Sequence, residues 1–324
     1  MRGEPCLFPD SSFLASRRAV ILGGMTAPVA YFNDDWIDER QLALPVDDLG
    51  CLLGATLVER LRTCGGRPFR IGKHLRRMRR SLEIVGWDAP GLCQRVAEAI
   101  GEFTVHNAPL MAEGDDWSLV VLITPGKTYD AAQPTLIVHG HPLPFENWAA
   151  QYESGVDVAI SSVRQVPANC WSPELKCRSR IHYYLADREA AAAHPGSRAL
   201  LLDQAGFLGE ASTANVVAFF ADRGLVTPRL SGVLPGISIE VLFELADSLG
   251  IPHTEDDLLP EQFSAADEAL LTSTSSCVLP IVRVDGQPLG QGQPGPVFKR
   301  LLAAWSELVG FDLTEQARRL TRRS

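Results

Sequence analysis

The sequence predicts an α+β protein in two domains, and three observations carry that expectation. A length of 324 residues exceeds one ordinary domain and fits two of roughly 150 residues. Short apolar strand signals and helix-spaced apolar residues occur in both halves, without a tandem repeat or low-complexity tract. Between the halves, His141-Pro142-Leu143-Pro144-Phe145-Glu146-Asn147 carries two prolines that forbid regular helix and reads as linker-like.

In chain order, Val29 to Asn33 and Trp36 to Asp38 are strand candidates around a polar Asn33-Asp34-Asp35 turn. The run from Leu57 to Arg62, the Gly65-Gly66 pair and Pro68 to Ile71 read as a hairpin. Helices are expected from about Gly72 to Val85 and from about Leu92 to His106. Leu119 to Ile123 and Leu136 to Val138 are buried strands. After the prolines, Val156 to Ser161 restarts a strand. Glu174 to Ala193, rich in Ala, Leu, Glu and Arg, is the longest helix candidate. Strands follow at Ala199 to Asp203, Val216 to Phe220 and Leu225-Val226, a helix opens at Gly236, and a strand runs from Glu268 to Leu271. The expected organisation is a small domain over 25–147, a linker over 148–155 and a larger domain over 156–324.

Composition narrows the function classes. A hydrophobic share of 46% with 21% charged residues suits a compact soluble chain, and no stretch approaches the roughly 20 apolar residues that span a bilayer. The net charge of -9 argues against nucleic acid, whose phosphates attract the opposite sign. Seven cysteines lie scattered without a Cys-x-x-Cys pair, which reads as reduced thiols in a cytoplasmic protein. Ser16 to Leu22 faintly resembles a twin-arginine signal. A strand pattern begins directly after Met25-Thr26-Ala27-Pro28, so residues 1–24 are read as a leader or an over-extended start. The histidines show no metal spacing, and neither a Gly-x-Ser-x-Gly elbow nor a phosphate-binding P-loop occurs.

Five separated segments hold the residues of chemical interest. The first is Asp47-Asp48-Leu49-Gly50 followed by Gly54 to Arg62, a glycine turn before a strand that carries Glu59, Arg60 and Arg62. The second is His74-Leu75-Arg76-Arg77 with Ser81, where a guanidinium offers a planar fork of donors to a dianion. The third runs from Glu174 through Lys176-Cys177-Arg178-Ser179-Arg180 to Tyr184; Lys176 is the first lysine after Lys127 and precedes two arginines, whose charge favours a neutral amine. The fourth, Asp203 to Asn215, sets Glu210 before the small residues Ala211, Ser212 and Ala214. The fifth joins Thr227-Pro228 and Leu234-Pro235-Gly236-Ile237-Ser238 to a later run, Thr272-Ser273-Thr274-Ser275-Ser276; a glycine that opens a helix leaves backbone N–H groups free for an anion.

Taken in order, these segments resemble the class IV (fold-type IV) pyridoxal-phosphate enzymes: branched-chain aminotransferases, D-amino-acid aminotransferases and aminodeoxychorismate lyase. The resemblance runs from about Tyr31 to Val309. It implies a small mixed α/β N-terminal domain, a larger β-barrel-like C-terminal domain with helices, pyridoxal 5′-phosphate as cofactor and a homodimer. It further implies that Lys176 carries the cofactor as a Schiff base and moves the substrate proton. By the same resemblance Glu210 pairs with the pyridine nitrogen, Arg77 grips the phosphate, and Leu234 packs on the ring. The amides at Ile237 and Ser238, with Thr274 and Ser275, complete the phosphate cup.

Two departures from the family pattern leave questions open. The arginines that branched-chain and D-amino-acid enzymes carry near the end of the strand before Gly126 are absent from Trp117 to Gly126. A substrate carboxylate stripped of water must still meet cations or amides, and Arg60, Arg178 and Arg180 are the candidates. The tyrosine expected shortly after the lysine is replaced by Arg180 and Ile181, with Tyr183 and Tyr184 further on, and His182 is either a supporting polar group or a helix-face residue. The resemblance implies an aminotransferase acting on α-amino acids and 2-keto acids, with a lyase resembling aminodeoxychorismate lyase as the alternative.

Overall fold

The computed structural model describes residues 27–87 and 91–321, and the expected leader at 1–24 lies outside them. The first sheet opens with the hairpin of β1 (Val29–Phe32) and β2 (Asp35–Asp38). Its turn holds Asn33 and Asp34 at φ 49° and 64°, a conformation that Asn and Asp tolerate better than other side chains. A one-turn helix α1 (Leu49–Leu52) leads into β3 (Leu57–Cys64) and β4 (Arg67–Pro68), and then α2 (Ile71–Val85) and α3 (Leu92–Asn107) follow. The strands β5 (Trp117–Thr124) and β6 (Thr135–Pro142) complete an antiparallel sheet in the order β2-β1-β6-β5-β3-β4. Side chains alternate along β3: Leu57 and Leu61 enter a core with Leu119, Val121, Met78, Ile100 and Phe103, under the two helices. Val58, Arg60 and Arg62 therefore lie on the other face.

The second sheet is built from β7 (Val156–Arg164), β8 (Arg198–Leu202), β9 (Leu208–Ala211), β10 (Asn215–Phe220), β11 (Gly224–Thr227), β12 (His253–Glu255), β13 (Glu268–Ser273) and β14 (Cys277–Val284). Their order is β12-β11-β10-β13-β14-β7-β8-β9, with a two-residue strand beside β14. A bridge between Ala211 and Ala214, with the Ala211 N–H donating to Ala214 O at 2.9 Å, brings β9 back to β10. The sheet thereby curls into the expected barrel-like form. After the short α4 (Gln151–Ser154), helix α5 (Ile181–Ala193) lays Tyr183, Ala186 and Ala190 on β7 and β8, where the alanines permit close approach. Helix α6 (Ile237–Ser248) and the later helices α7 (Pro260–Ser264), α8 (Pro296–Val309) and α9 (Leu313–Leu320) pack on the barrel through residues such as Leu242, Phe298, Leu301 and Trp305. No helix among the described residues is long and apolar enough to cross a membrane.

One expected element is corrected. The helix drawn from Glu174 begins only at Ile181, so Lys176 stands in an irregular segment and not at a helix head. Helix propensity in this stretch loses to hydrogen bonds with the first sheet. The Val58 N–H donates to Lys176 O at 2.9 Å, the Arg178 N–H to Thr56 Oγ1 at 3.0 Å, and the Ser179 hydroxyl to Gly54 O at 2.8 Å. The segment thus lies along the edge of β3 that β4 occupies further on.

A buried polar knot joins the two sheets. Arg62 is 2% exposed; its Nη2 donates to Gln316 Oε1 on α9 at 3.1 Å, and its Nη1 to Ser275 O at 3.0 Å. The fully buried Asp116 lies 3.6 Å from Nη2 and accepts from Gln316 Nε2 at 2.7 Å and from the Thr63 hydroxyl at 2.6 Å. Arg62→Met preserves apolar bulk but strands the Asp116 carboxylate. It is expected to cost roughly 3–5 kcal/mol, read as a lower midpoint in chemical denaturation, whereas an unchanged midpoint contradicts the knot's structural role.

Candidate active site

The site begins with a buried polar stripe on α2, a helix whose composition is strongly charged. His74, Arg77 and Ser81 recur at helical spacing and all three are buried. Polar side chains on an inward face need partners, and β3 supplies one. Glu59, on the helix-facing side of β3, accepts from Arg77 Nε and Nη2 at 2.8 Å each and lies 2.9 Å from His74 Nδ1. Burial opposes a charge on Glu59, yet the Arg77 guanidinium and the His74 ring outweigh it and hold the carboxyl well below the usual carboxylate range. The third guanidinium nitrogen of Arg77, Nη1, donates to Pro235 O at 3.0 Å. That bond ties the stripe to the start of α6.

Helix α6 begins without a side-chain cap, and Gly236 is its N-cap residue. A methyl group at Gly236 would collide with Asn215 Oδ1, which explains glycine at this close approach. Ile237 and Ser238 are buried there and line a small hollow with His74 and Thr274. The Arg62 bond to Ser275 O and the Tyr152 hydroxyl's bond to Ser276 O at 2.8 Å fix the Thr274–Ser276 turn. The hydroxyls of Thr274 and Ser275 have no protein partner among the described residues.

Lys176 and Glu210 face a larger open pocket, whose wall also includes Arg180, Tyr183 and Leu234. The Lys176 amine is pushed down to about 7, first by desolvation, then by the charge of Arg77, with Arg180 adding to it and Glu59 and Glu210 opposing. The strongest repulsion comes from the first sheet's helix rather than from the two arginines that follow the lysine. Glu210 is 9% exposed, and burial raises its proton affinity against the Tyr183 hydroxyl, which donates to Oε1 at 2.6 Å. Asn215 Nδ2 donates to Leu234 O at 2.9 Å and to Glu210 Oε2 at 3.3 Å. Glu210 and the loop before α6 are thereby linked.

The structure therefore brings Arg77, Lys176, Glu210, Leu234, Ile237, Ser238, Thr274 and Ser275 into one region. Arg180 reaches it too, stacked over the Tyr183 ring with 4.3 Å from Cζ to the ring centroid. Arg178 is exposed and Arg60 half-buried, and neither lines the pocket directly. Residues without a sequence signal are Gln165, whose Nε2 donates to the Tyr183 hydroxyl at 3.0 Å, and the Glu59 partnership with Arg77. Tyr184, in contrast to Tyr183, is exposed on α5. His182 lies against Tyr183 with 4.0 Å between ring centroids and the rings tilted by 40°.

Known proteins resemble the chain over most of its length. A family model described as Amino-transferase class IV matches residues 56–284. A Thermotoga maritima protein named "Probable branched-chain-amino-acid aminotransferase" is 32% identical over 259 residues, 79% of this chain and 87% of its own. The D-alanine aminotransferase of Bacillus licheniformis is 24% identical over 278 residues, 84% of this chain and 94% of its own. The solved branched-chain aminotransferase of the archaeon Thermoproteus uzoniensis, with norvaline, superposes with a TM-score of 0.77 at 24% identity, covering 88% of this chain and 95% of that one. That likeness is one of fold.

Modification of Lys176 by an amine-selective reagent in the cofactor-free protein should titrate with a midpoint near 7, against about 10.4 for an unperturbed lysine. Arg77→Met should move that midpoint upward, because the strongest repelling charge is gone. A midpoint near that of a free lysine in the unaltered protein would contradict the electrostatic account.

Proposed function

Because the chain belongs to the class IV aminotransferase family, we propose that it moves an amino group between an α-amino acid and a 2-keto acid with pyridoxal 5′-phosphate as cofactor. The observation that carries this reading is a near-neutral lysine, Lys176, sharing one pocket with the buried carboxylate of Glu210. The pocket's amine and carboxylate, and outside it the uncapped helix start beside Arg77, suit a phosphorylated pyridine aldehyde. A partition into domains at 25–147 and 156–324 accompanies the reading.

In this reading Lys176 would hold the cofactor's aldehyde, and Glu210 its ring nitrogen. Arg77, the amides of Ile237 and Ser238, and the hydroxyls of Thr274 and Ser275 would hold the phosphate, and Leu234 would pack on the ring. When bound, the cofactor supplies an electron sink for the charge left on the substrate's α-carbon. The raised proton affinity of Glu210 suits a carboxylate that shares a proton with a ring nitrogen, and Tyr183 and Asn215 keep it oriented. With its amine at about 7, Lys176 is unprotonated in a large fraction at neutral pH. It can accept the α-proton on Nζ and return it, the requirement of a general acid/base. Arg180, with Arg60 and Arg178, would meet the substrate carboxylate.

A homodimer in the cytoplasm is part of the proposal. Exposed apolar side chains around α1, at Val46, Leu52 and Leu53, support an interface, and the six cysteines among the described residues are all free thiols. The test is optical. Purified protein with pyridoxal phosphate should show an absorbance band that shifts when an amino donor is added, and turnover should require a 2-keto acid. Borohydride should fix the cofactor at position 176, and Lys176→Ala should cut turnover by about 10²–10⁴-fold. Full turnover by Lys176→Ala rules the mechanism out, and pyruvate released without a keto-acid acceptor indicates a lyase instead.

A further inference from the structure

The two oxygens of the buried Glu210 carboxylate are unequally occupied. Oε1 accepts from the Tyr183 hydroxyl at 2.6 Å and from Gln165 Nε2 at 3.4 Å. On Oε2 the one side-chain donor among the described residues is Asn215 Nδ2 at 3.3 Å, and that amide makes its shorter bond to Leu234 O. The donors on Oε1 are themselves held from behind. Gln165 is buried; its N–H donates to Leu202 O at 2.9 Å, and its carbonyl accepts from Gln204 Nε2 at 2.7 Å. Its side chain lies against Gly209, where a methyl group would come 3.0 Å from Cγ. A carboxylate can only accept, so the amide nitrogen of Gln165, and not its oxygen, faces this group. The same nitrogen donates to the Tyr183 hydroxyl at 3.0 Å. The phenol oxygen thus accepts from Gln165 and directs its own proton to Glu210.

Burial raises the proton affinity of Glu210. The Tyr183 hydroxyl is the strongest influence against it, ahead of the charge of Lys176, the Leu234 backbone and the charge of Arg180. Arg180 also acts through the phenol. Its Cζ lies 4.3 Å from the Tyr183 ring centroid, and its charge works against the burial that makes the hydroxyl hold its proton. A hydrogen bond to the charged form of an acid favours that form. When a carboxylate and a ring nitrogen share one proton, the donors on the carboxylate therefore push the proton toward the nitrogen. A ring that keeps the proton is the better electron sink.

We propose that Tyr183, aimed by Gln165 and overlaid by Arg180, is a positioning residue that acts through Glu210: it occupies Oε1, leaves Oε2 as the acceptor for the cofactor's ring nitrogen, and keeps the shared proton on the ring. The proposal rests on the aminotransfer reading for the identity of that ring. Gln165 belongs to the same device, although it meets the pocket only from the end of β7.

The experiment follows the proton. In the full chain loaded with pyridoxal phosphate labelled at the ring nitrogen, nitrogen NMR should show a protonated ring at neutral pH. In Tyr183→Phe the signal should move toward the unprotonated form, with turnover at least about tenfold lower. Gln165→Met should move it in the same direction. A fluorinated tyrosine at position 183, a stronger donor of nearly the same shape, should move it the opposite way. Without cofactor, the infrared carboxyl band of Glu210, identified by its loss in Glu210→Gln, should titrate at least about one pH unit higher in Tyr183→Phe. A ring signal and a Glu210 titration unmoved by these three replacements overturn the proposal, whatever the replacements do to thermal stability. If amino donors shift the absorbance band while both signals stay in place, the positioning role alone fails. If the chain takes up no pyridoxal phosphate, aminotransfer fails, while the infrared titration still decides whether Tyr183 keeps Glu210 ionised.

Discussion

A carboxylate enclosed between a strand and a helix keeps its charge only if cations replace the water it has lost. Glu59 meets that condition through a two-bond fork from Arg77 and a contact with His74. The rest of the site depends on this pairing. It fixes the rotation of α2, aims the remaining nitrogen of Arg77 at Pro235, and so sets the distance between the first sheet and the start of α6. Removing Glu59 would leave Arg77 buried with one carbonyl as partner, and the same removal would take away a charge that supports protonation of Lys176.

The signs of the groups around the lysine alternate, Glu59 and Arg77 on one side, Arg180 and Glu210 on the other. A desolvated amine with only cations nearby would lose its proton far below neutrality, and one with only carboxylates would keep it. With both present, desolvation decides the outcome and the charges trim it, which places the amine close to neutral pH. The arrangement draws on both sheets, so neither lobe alone contains it.

Arg77, Lys176 and Glu210 were singled out by the resemblance of their segments to the class IV family, and many strands were legible because apolar runs end at turn residues, although β9, β12 and β14 were not expected. What escaped has a common physical cause. The start of α5 was misplaced by local propensity, since no local signal reports the bonds from Val58, to Thr56 and from Lys176 N–H to Ser81 Oγ at 3.3 Å. The choice of Tyr183 over Tyr184 as the partner of Glu210 follows from helix phase, which shifts when the helix start shifts. Gln165 sits at the end of β7 outside any motif and meets Tyr183 only through tertiary packing. Arg62 on β3 and Asp116 just ahead of β5 meet only once the chain has folded.

The edge-strand position of residues 176–179 has a mechanical consequence. The Lys176 amine belongs by sequence to the barrel half of the chain, but its backbone is fastened to the smaller sheet. Any rocking of one lobe against the other would act as a lever on the amine, altering its reach toward the pocket and its separation from Glu210 in the same movement. The position of the amine is in this way tied to the first sheet through Val58, Thr56 and Gly54.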